Sequence, residues 1–309
     1  MWTVKSLLTM GGVDAGVVAS EARALLGAAL ADDWRGDELG GRVVANVFFE
    51  DSTRTRVSFS IAAHDLGASV VDLTSKGSSV AKGETLLDTA WTIEAMGVDV
   101  MVVRAGQSGA CALIDAHTRC SVINAGDGSH QHPTQALADA LTIGRSFERD
   151  SDWDFRGLKI AIVGDVVSSR VARSNAGLLT AMGAEVVLVG PPSMVPGSLS
   201  SLGSSLGCTL TSEFDSVVGE VDAVMMLRIQ FERGSGGVLA STREYHARYG
   251  MNESRAAKMK RGGIVMHPGP MNRGVEIAAA VADGERSAVL DQVNNGVLVR
   301  KAVLAHAGR

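Results

Sequence analysis

The sequence predicts an α/β protein of two domains, each a parallel sheet with helices on both faces. Three observations carry this expectation. Short β-rich runs alternate with runs whose apolar residues recur at helical spacing, the rhythm of βαβ units. The chain has 309 residues, more than one typical domain holds. Apolar residues make up 46 % and aromatics 4 %, with 36 glycines, which suits an aliphatic core joined by tight turns.

Taken in order, residues 12–31 place Val17, Val18, Ala22, Leu25, Leu26 and Leu30 at helical spacing and predict a first helix. RVVANVFFE (42–50) is β-rich and short, hence a strand. TRVSFSIAAHDLG (55–67) has helical period and stops at Gly67, a residue suited to a helix C-terminus. SVVDLT (69–74) reads as a strand, 75–84 as a loop, 85–97 as a helix and 98–104 as a strand. Residues 109–117, 121–126 and 133–147 repeat helix, strand, helix. The charged, irregular SFERDSDWDFRG (146–157) reads as the boundary, giving domains 1–148 and 149–291, with the terminal helix 292–309 packing back on the first. A second series follows, with strands at 158–165, 184–190, 221–227 and 262–270 and a helix at 169–183. The Ser/Gly-rich stretch 197–207 reads as a surface loop.

Composition excludes several classes. A formal charge of -5 argues against a nucleic-acid scaffold, though local arginines can still hold a small anion. Cys111, Cys120 and Cys208 are scattered, with no CxxC spacing, so neither a metal site nor a disulfide framework is expected, and the simple setting is a reducing cytoplasm. No window approaches ~18 uninterrupted apolar residues, so no membrane span is expected, and the N-terminus lacks a signal-peptide core.

The polar clusters fall at the C-terminal ends of predicted strands, where parallel α/β sheets bind ligands. FFEDSTRTRVSF (48–59) leaves a strand and presents Ser52, Thr53, Arg54 and Thr55 at a helix start. There unpaired N–H groups and the dipole favour an anion, hydroxyls add donors, and Arg54 adds a fork matched to phosphate. The plainer reading is an N-cap followed by two solvated arginines. Arg104 ends another strand. In GDGSHQHPTQAL (126–137), Pro133 suits a first helical turn, which presents His132 and Gln135. His132 can donate to a carbonyl and Gln135 accept from an amine; a capping turn with a structural histidine is the alternative, and His130 reads as surface. Ser78 and Lys82 lie in the 75–84 loop, by themselves an ordinary solvated pair. Arg228 and Gln230, two apart, share a side if extended and could clamp a carboxylate, or simply be a solvated strand end. VGDVVSSR (163–170) lacks the later glycines of a dinucleotide fingerprint.

Together these segments resemble the aspartate branch of the carbamoyltransferase family, nearly end to end. The resemblance is carried by FFEDSTRTR (48–56), KGETLLDT (82–89), NAGDGSHQHPTQAL (124–137), GDVVSSRVARSN (164–175), LRIQFER (227–233), HPGPMNRGVEI (267–277) and QVNNGVLVRKAVL (292–304). It implies transfer of the carbamoyl group of carbamoyl phosphate to the amine of L-aspartate, in de novo pyrimidine biosynthesis, with no cofactor and no metal. It implies that Ser52, Thr53, Arg54 and Thr55 hold the phosphate, and that Arg104, His132 and Gln135 hold the carbamoyl group. Ser78 and Lys82 match a loop that reaches into a neighbouring subunit's site, Lys82 also serving aspartate. Arg170, Arg228 and Gln230 match the aspartate clamp, and Gly269 and Pro270 the backbone facing the substrates. Arg54, Lys82, Arg104 and His132 carry the catalytic roles. A homotrimer with shared sites is expected, with regulatory chains or a higher assembly left open. The sequence departs from the family's usual pattern at Ala105-Gly106, where His-Pro is common, and at Ala81, where some members carry a basic residue.

Overall fold

The computed structural model describes residues 6–10, 14–31, 34, 36–74, 84–199, 207–230 and 241–308. The chain divides into two compact units: Met1–Leu141 with Asn294–Arg309, and Thr142–Val293.

The first unit is built on a four-stranded parallel sheet. Its strands are β1 (Val43–Phe48), β2 (Ser69–Thr74), β3 (Val100–Ala105) and β4 (Ser121–Asp127), in the order β2-β1-β3-β4. The connections are the helices α2 (Thr53–Asp65), α3 (Leu86–Ala95) and α4 (Ala110–His117), preceded by α1 (Ala15–Leu30) and followed by α5 (Pro133–Ser146). The first crossover runs outward to β2, and the next passes back over β1 to β3. Parallel crossovers are right-handed, so reversing the direction puts α2 and α3 on opposite faces of the sheet. The strand side chains divide accordingly. Ala45, Val47, Met101, Val103 and Val122 pack with Ala90, Ile93, Cys111 and Ile114 of α3 and α4. Val44, Phe48, Val100 and Val102 alternate with them and are also fully covered. Asn46 is a polar residue within this sheet, and its amide donates to Ser60 Oγ at 3.0 Å and Asp72 Oδ1 at 2.8 Å, fastening β1 to α2 and β2.

The second unit holds a five-stranded parallel sheet: β5 (Lys159–Val163), β6 (Glu185–Val189), β7 (Cys208–Thr211), β8 (Ala223–Met226) and β9 (Ile264–Met266), in the order β7-β6-β5-β8-β9. The helix α6 (Arg170–Ala181) follows β5 and packs on β6. Ala161, Val163, Val187, Val189, Val224 and Met226 form a core with Phe214, Tyr245, Tyr249, Met251 and Ile277. Those partners belong to or adjoin short helices at Phe214–Val217, Thr242–Tyr249 and Glu253–Lys258, except Ile277, which bridges to Met251. A long helix, Val289–Ala307, ends the described chain. Trp153 packs against Gly144, where an added Cβ would meet its ring at 2.5 Å. That contact carries the last turns of α5 into the second unit, so the division falls inside the helix, ahead of the charged stretch 146–157.

Of the sequence-level expectations, the strands and long helices coincide with observed elements to within a few residues. The strand β7 and the short helices of the second unit were not anticipated. The expected loop at 75–84 lies outside the described residues except for Glu84.

Candidate active site

Each sheet has one point where the strand order reverses, and there the connections after adjacent strands diverge and leave a crevice. In the first unit the reversal lies between β1 and β3. The segments beyond it are those carrying Ser52–Thr55 and Arg104. In the second unit the reversal lies between β5 and β8, below Gly164–Arg170 and Arg228–Gln230. Ser52–Thr55, Arg104, Gly164–Arg170 and Arg228–Gln230 therefore sit where this topology leaves crevices, while His132 and Gln135 follow the edge strand β4 and Gly269 and Pro270 the edge strand β9.

Ser52 is the N-cap of α2, with extended backbone, and its side chain makes no capping hydrogen bond. Thr53 and Arg54 are exposed and Thr55 is buried. The first-turn N–H groups of α2 thus lie beside the uncapped Ser52 and the exposed Thr53, a helix start of the kind that can receive an anion without a glycine-rich loop. Arg56 serves the fold instead, with its Nη1 3.8 Å from Asp72 Oδ2, tying α2 to the sheet edge.

Arg104 stands beside Phe48 in the β1–β3 register. Its Nε is 3.7 Å from Glu50 Oε2, and its Nη1 is 3.5 Å from the Ala125 carbonyl oxygen of β4. The glycine of the Ala105-Gly106 pair lies against that glutamate: a Cβ at Gly106 would sit 3.4 Å from Glu50 Oε1. After β4 the chain folds around Asp127. Its buried carboxylate accepts from Gly109 N at 2.7 Å, Asn124 Nδ2 at 2.9 Å and Gln131 N at 3.0 Å, and pairs with His130 Nδ1 at 3.0 Å. Burial alone would raise the Asp127 carboxyl, but His130, Asn124 and the Gly109 N–H outweigh it and hold it below the usual range. Gly128, at φ +52°, presses on the next turn, where a Cβ would meet Ser108 Oγ at 2.5 Å. This clamp delivers His132 to the head of α5, its carbonyl accepting from Gln135 N and Ala136 N at 3.0 and 3.2 Å. His132 is buried, and Gln135 Nε2 donates to Asp139 Oδ1 at 2.8 Å.

In the second unit, Ser169 caps α6 by accepting from Ala172 N, and Arg170 follows as the first helical residue, buried. Beyond β8 the chain stays extended, with Leu227 N donating to Val163 O at 2.8 Å. Leu227 and Ile229 are buried while Arg228 and Gln230 are half-buried, so the two polar residues share the open side. Gly164, at φ +133°, permits this approach; a Cβ there would lie 3.0 Å from Leu227 Cβ. A buried network then fixes the strand end. Asn272 Nδ2 donates to Ile229 O at 2.9 Å and to Glu276 Oε2 at 3.2 Å, and Asn272 N donates to Glu276 Oε1. His267 Nδ1 accepts from Gly269 N at 2.8 Å, so its proton is on Nε2, which faces Glu276 Oε1 at 3.1 Å. The same turn presents Gly269, at φ +65°, half-buried, and Pro270, exposed.

The structure thus brings Ser52, Thr53, Arg54, Thr55, Arg104, His132 and Gln135 to one end of the first sheet, and Arg170, Arg228, Gln230, Gly269 and Pro270 to the corresponding end of the second. Ser78 and Lys82 lie outside the described residues. Sequence reasoning gave no role to the supports Asp127, Asp139, His267 and Glu276, although Asp127 and His267 lie in polar clusters at predicted strand ends. Spacing also hinted at them, through Asp139 four residues after Gln135 on a helix and the glycines flanking Asp127.

Comparison with known proteins identifies the family. Residues 18–145 match the family model described as aspartate/ornithine carbamoyltransferase, carbamoyl-P binding domain, and residues 156–307 match its Asp/Orn binding domain. The chain belongs to the aspartate/ornithine carbamoyltransferase family. It is 55 % identical to the aspartate carbamoyltransferase catalytic subunit of Myxococcus xanthus, over 86 % of both chains. Aspartate transcarbamoylase of Trypanosoma cruzi, solved with carbamoyl phosphate and aspartate, superposes with a TM-score of 0.84 at 30 % identity, covering 98 % of this chain and 97 % of that one. Ornithine carbamoyltransferase of Thermus thermophilus gives 0.85 at 25 % identity, covering 100 % of both.

Proposed function

We propose that the chain transfers the carbamoyl group of carbamoyl phosphate to the α-amine of L-aspartate, giving N-carbamoyl-L-aspartate and phosphate for pyrimidine biosynthesis. The observation that carries an amino-acid acceptor is the pair Arg228 and Gln230, fixed on the open side of the β8 extension, and the choice of aspartate over ornithine follows the 55 % identical relative. A planar guanidinium fork there suits a carboxylate of the acceptor, and the 55 % identical relative carries aspartate in its name.

In this reading the first unit holds the donor. Ser52, Thr53, Arg54, Thr55 and the N–H groups of the first turn of α2 receive the phosphate. Arg104 and His132 donate to the carbamoyl oxygen, and Gln135 accepts from its amine. In the second unit Arg170, Arg228 and Gln230 hold aspartate, with the Gly269 carbonyl and Pro270 lining the substrates. The amine attacks the carbamoyl carbon, the bond from that carbon to the bridging oxygen breaks, and phosphate departs with the electron pair. The amine proton ends on the phosphate, the strongest base created in the step. These protein groups are donors and cations, so they act by orienting the reactants and stabilising developing charge.

The working unit in this reading is a homotrimer in the cytoplasm, Ser78 and Lys82 of one chain completing a neighbour's site. A colorimetric assay for carbamoyl-aspartate, run beside ornithine as acceptor, tests the activity. Product from aspartate and none from ornithine supports it; product only from ornithine, or from neither, refutes it.

A further inference from the structure

We propose that Asp139 and Arg300 are positioning residues that fix which end of the Gln135 amide faces carbamoyl phosphate; the proposal rests on the role given to Gln135 above. A glutamine amide can turn over without changing shape, exchanging a donor for an acceptor. An ionised carboxylate can only accept. Gln135 Nε2 lies 2.8 Å from Asp139 Oδ1, one helical turn along α5. As long as Asp139 is ionised, the NH2 end is held back against it and the carbonyl oxygen is the end left to face an amine.

Keeping Asp139 ionised is not automatic, because its side chain is 0 % exposed and burial favours the neutral acid. The cation that would compensate is Arg300 of the Val289–Ala307 helix, itself 5 % exposed and acting on Asp139 through space. Burial pushes the Arg300 guanidinium down to about 10, with Asp139 acting in the opposite direction, so it stays charged at neutral pH. Its Cζ lies 5.2 Å from the centroid of the Phe59 ring on α2, the helix that begins with the phosphate cradle. One turn earlier, Gly296 makes the room: a Cβ there would collide with Arg300 Nη1 and would stand 3.9 Å from Ala138 Cβ of α5. Buried charges kept for stability alone have little advantage over well-packed apolar residues. Here the charge stands one hydrogen bond behind a residue of the site.

The test compares two ligands by calorimetric titration. Inorganic phosphate reads the α2 cradle alone, and phosphonoacetamide adds the amide that Gln135 would meet. In Asp139→Asn and Arg300→Gln, phosphate should bind within about twofold of wild type, whereas phosphonoacetamide should weaken roughly tenfold, as in Gln135→Ala. Equal weakening of both ligands would mean that the pair only stabilises the fold, and overturns the proposal. So does unchanged phosphonoacetamide binding in Asp139→Asn beside a clear loss in Gln135→Ala. If Gln135→Ala itself binds phosphonoacetamide normally, the reading of Gln135 falls, and this proposal with it. Asp139→Asn is nearly isosteric, so it decides the matter even if Arg300→Gln does not fold.

Discussion

Arg54 and Arg56 differ in sequence only by which hydroxyl they follow, yet they have separate roles. Arg56 reaches back to Asp72, while Arg54 is exposed at the first turn of α2. The hydroxyl-arginine run was legible as a candidate anion site; the tie of Arg56 to the sheet was not, since it depends on Asp72 arriving from β2. Arg54→Ala should therefore lower turnover by two to four decades, about 3–5 kcal/mol of barrier, with little change in Tm. Steady-state kinetics beside thermal unfolding checks this, and near-normal turnover would remove Arg54 from the cradle. Arg228→Ala should raise the KM for aspartate far more than that for carbamoyl phosphate, and equal effects on the two would show the assignment wrong. The buried supports were harder to read. Asp127 and Glu276 stand in polar stretches that look solvated, because the turns that fold their near neighbours around each carboxylate repeat no period.

Among the elements, long helices and strands were readable because their periods repeat over enough residues. The short helices of the second unit were not. At 4 to 8 residues each, they repeat no pattern, and they are held by contacts. Arg255 is the main one. It donates to Asp215 through Nε at 3.0 Å and Nη2 at 2.8 Å, to Gly250 O at 2.7 Å and to Ala247 O at 3.0 Å, and it lies 5.3 Å from the Phe214 ring centroid. The hydrogen bond from Arg255 holds the Asp215 carboxyl below its ordinary value, against burial, with the Arg255 and Lys258 charges assisting. A depressed carboxylate stabilises the fold above its unfolded pKa of about 3.9, and that stability is lost as pH falls through the folded value. More than half of the Asp215 side chain is exposed, so solvent screening keeps the effect to about 1 kcal/mol. Asp215→Asn should unfold at a lower temperature than wild type at pH 7, and the gap should close as pH falls below ~4. A gap independent of pH would contradict this. Glu276→Gln should cost about 2–3 kcal/mol, since a buried amide cannot accept all three of the bonds that Asn272 and His267 offer. It should also raise the aspartate KM by releasing Ile229, a change that denaturant titration and kinetics would detect together.

For the molecule as a whole, two parallel sheets followed from the alternation of runs, but their strand orders did not. Nothing local in the sequence says that β3 returns beside β1 or that β8 returns beside β5, and those reversals are what place Ser52–Thr55 with Arg104 and Gly164–Arg170 with Arg228–Gln230 above the two crevices. The proposed trimer is open to a mixing test. Arg54→Ala and Lys82→Ala chains should each be nearly inactive alone. Unfolded and reassembled together in equal amounts, they should recover about a quarter of wild-type activity, because a mixed ring pairs one intact Arg54 with a neighbour's intact Lys82. No recovery, with wild type reassembling fully, would exclude sharing of Lys82. The activity itself is tested most directly by competition. Wild-type protein is given carbon-13-labelled carbamoyl phosphate with equal aspartate and ornithine in one tube, and the labelled products are followed by NMR, so that the product ratio reports the ratio of kcat/KM values. The label should pass to carbamoyl-aspartate, with citrulline at background; label accumulating in citrulline, or in neither product, would contradict carbamoyl transfer to aspartate.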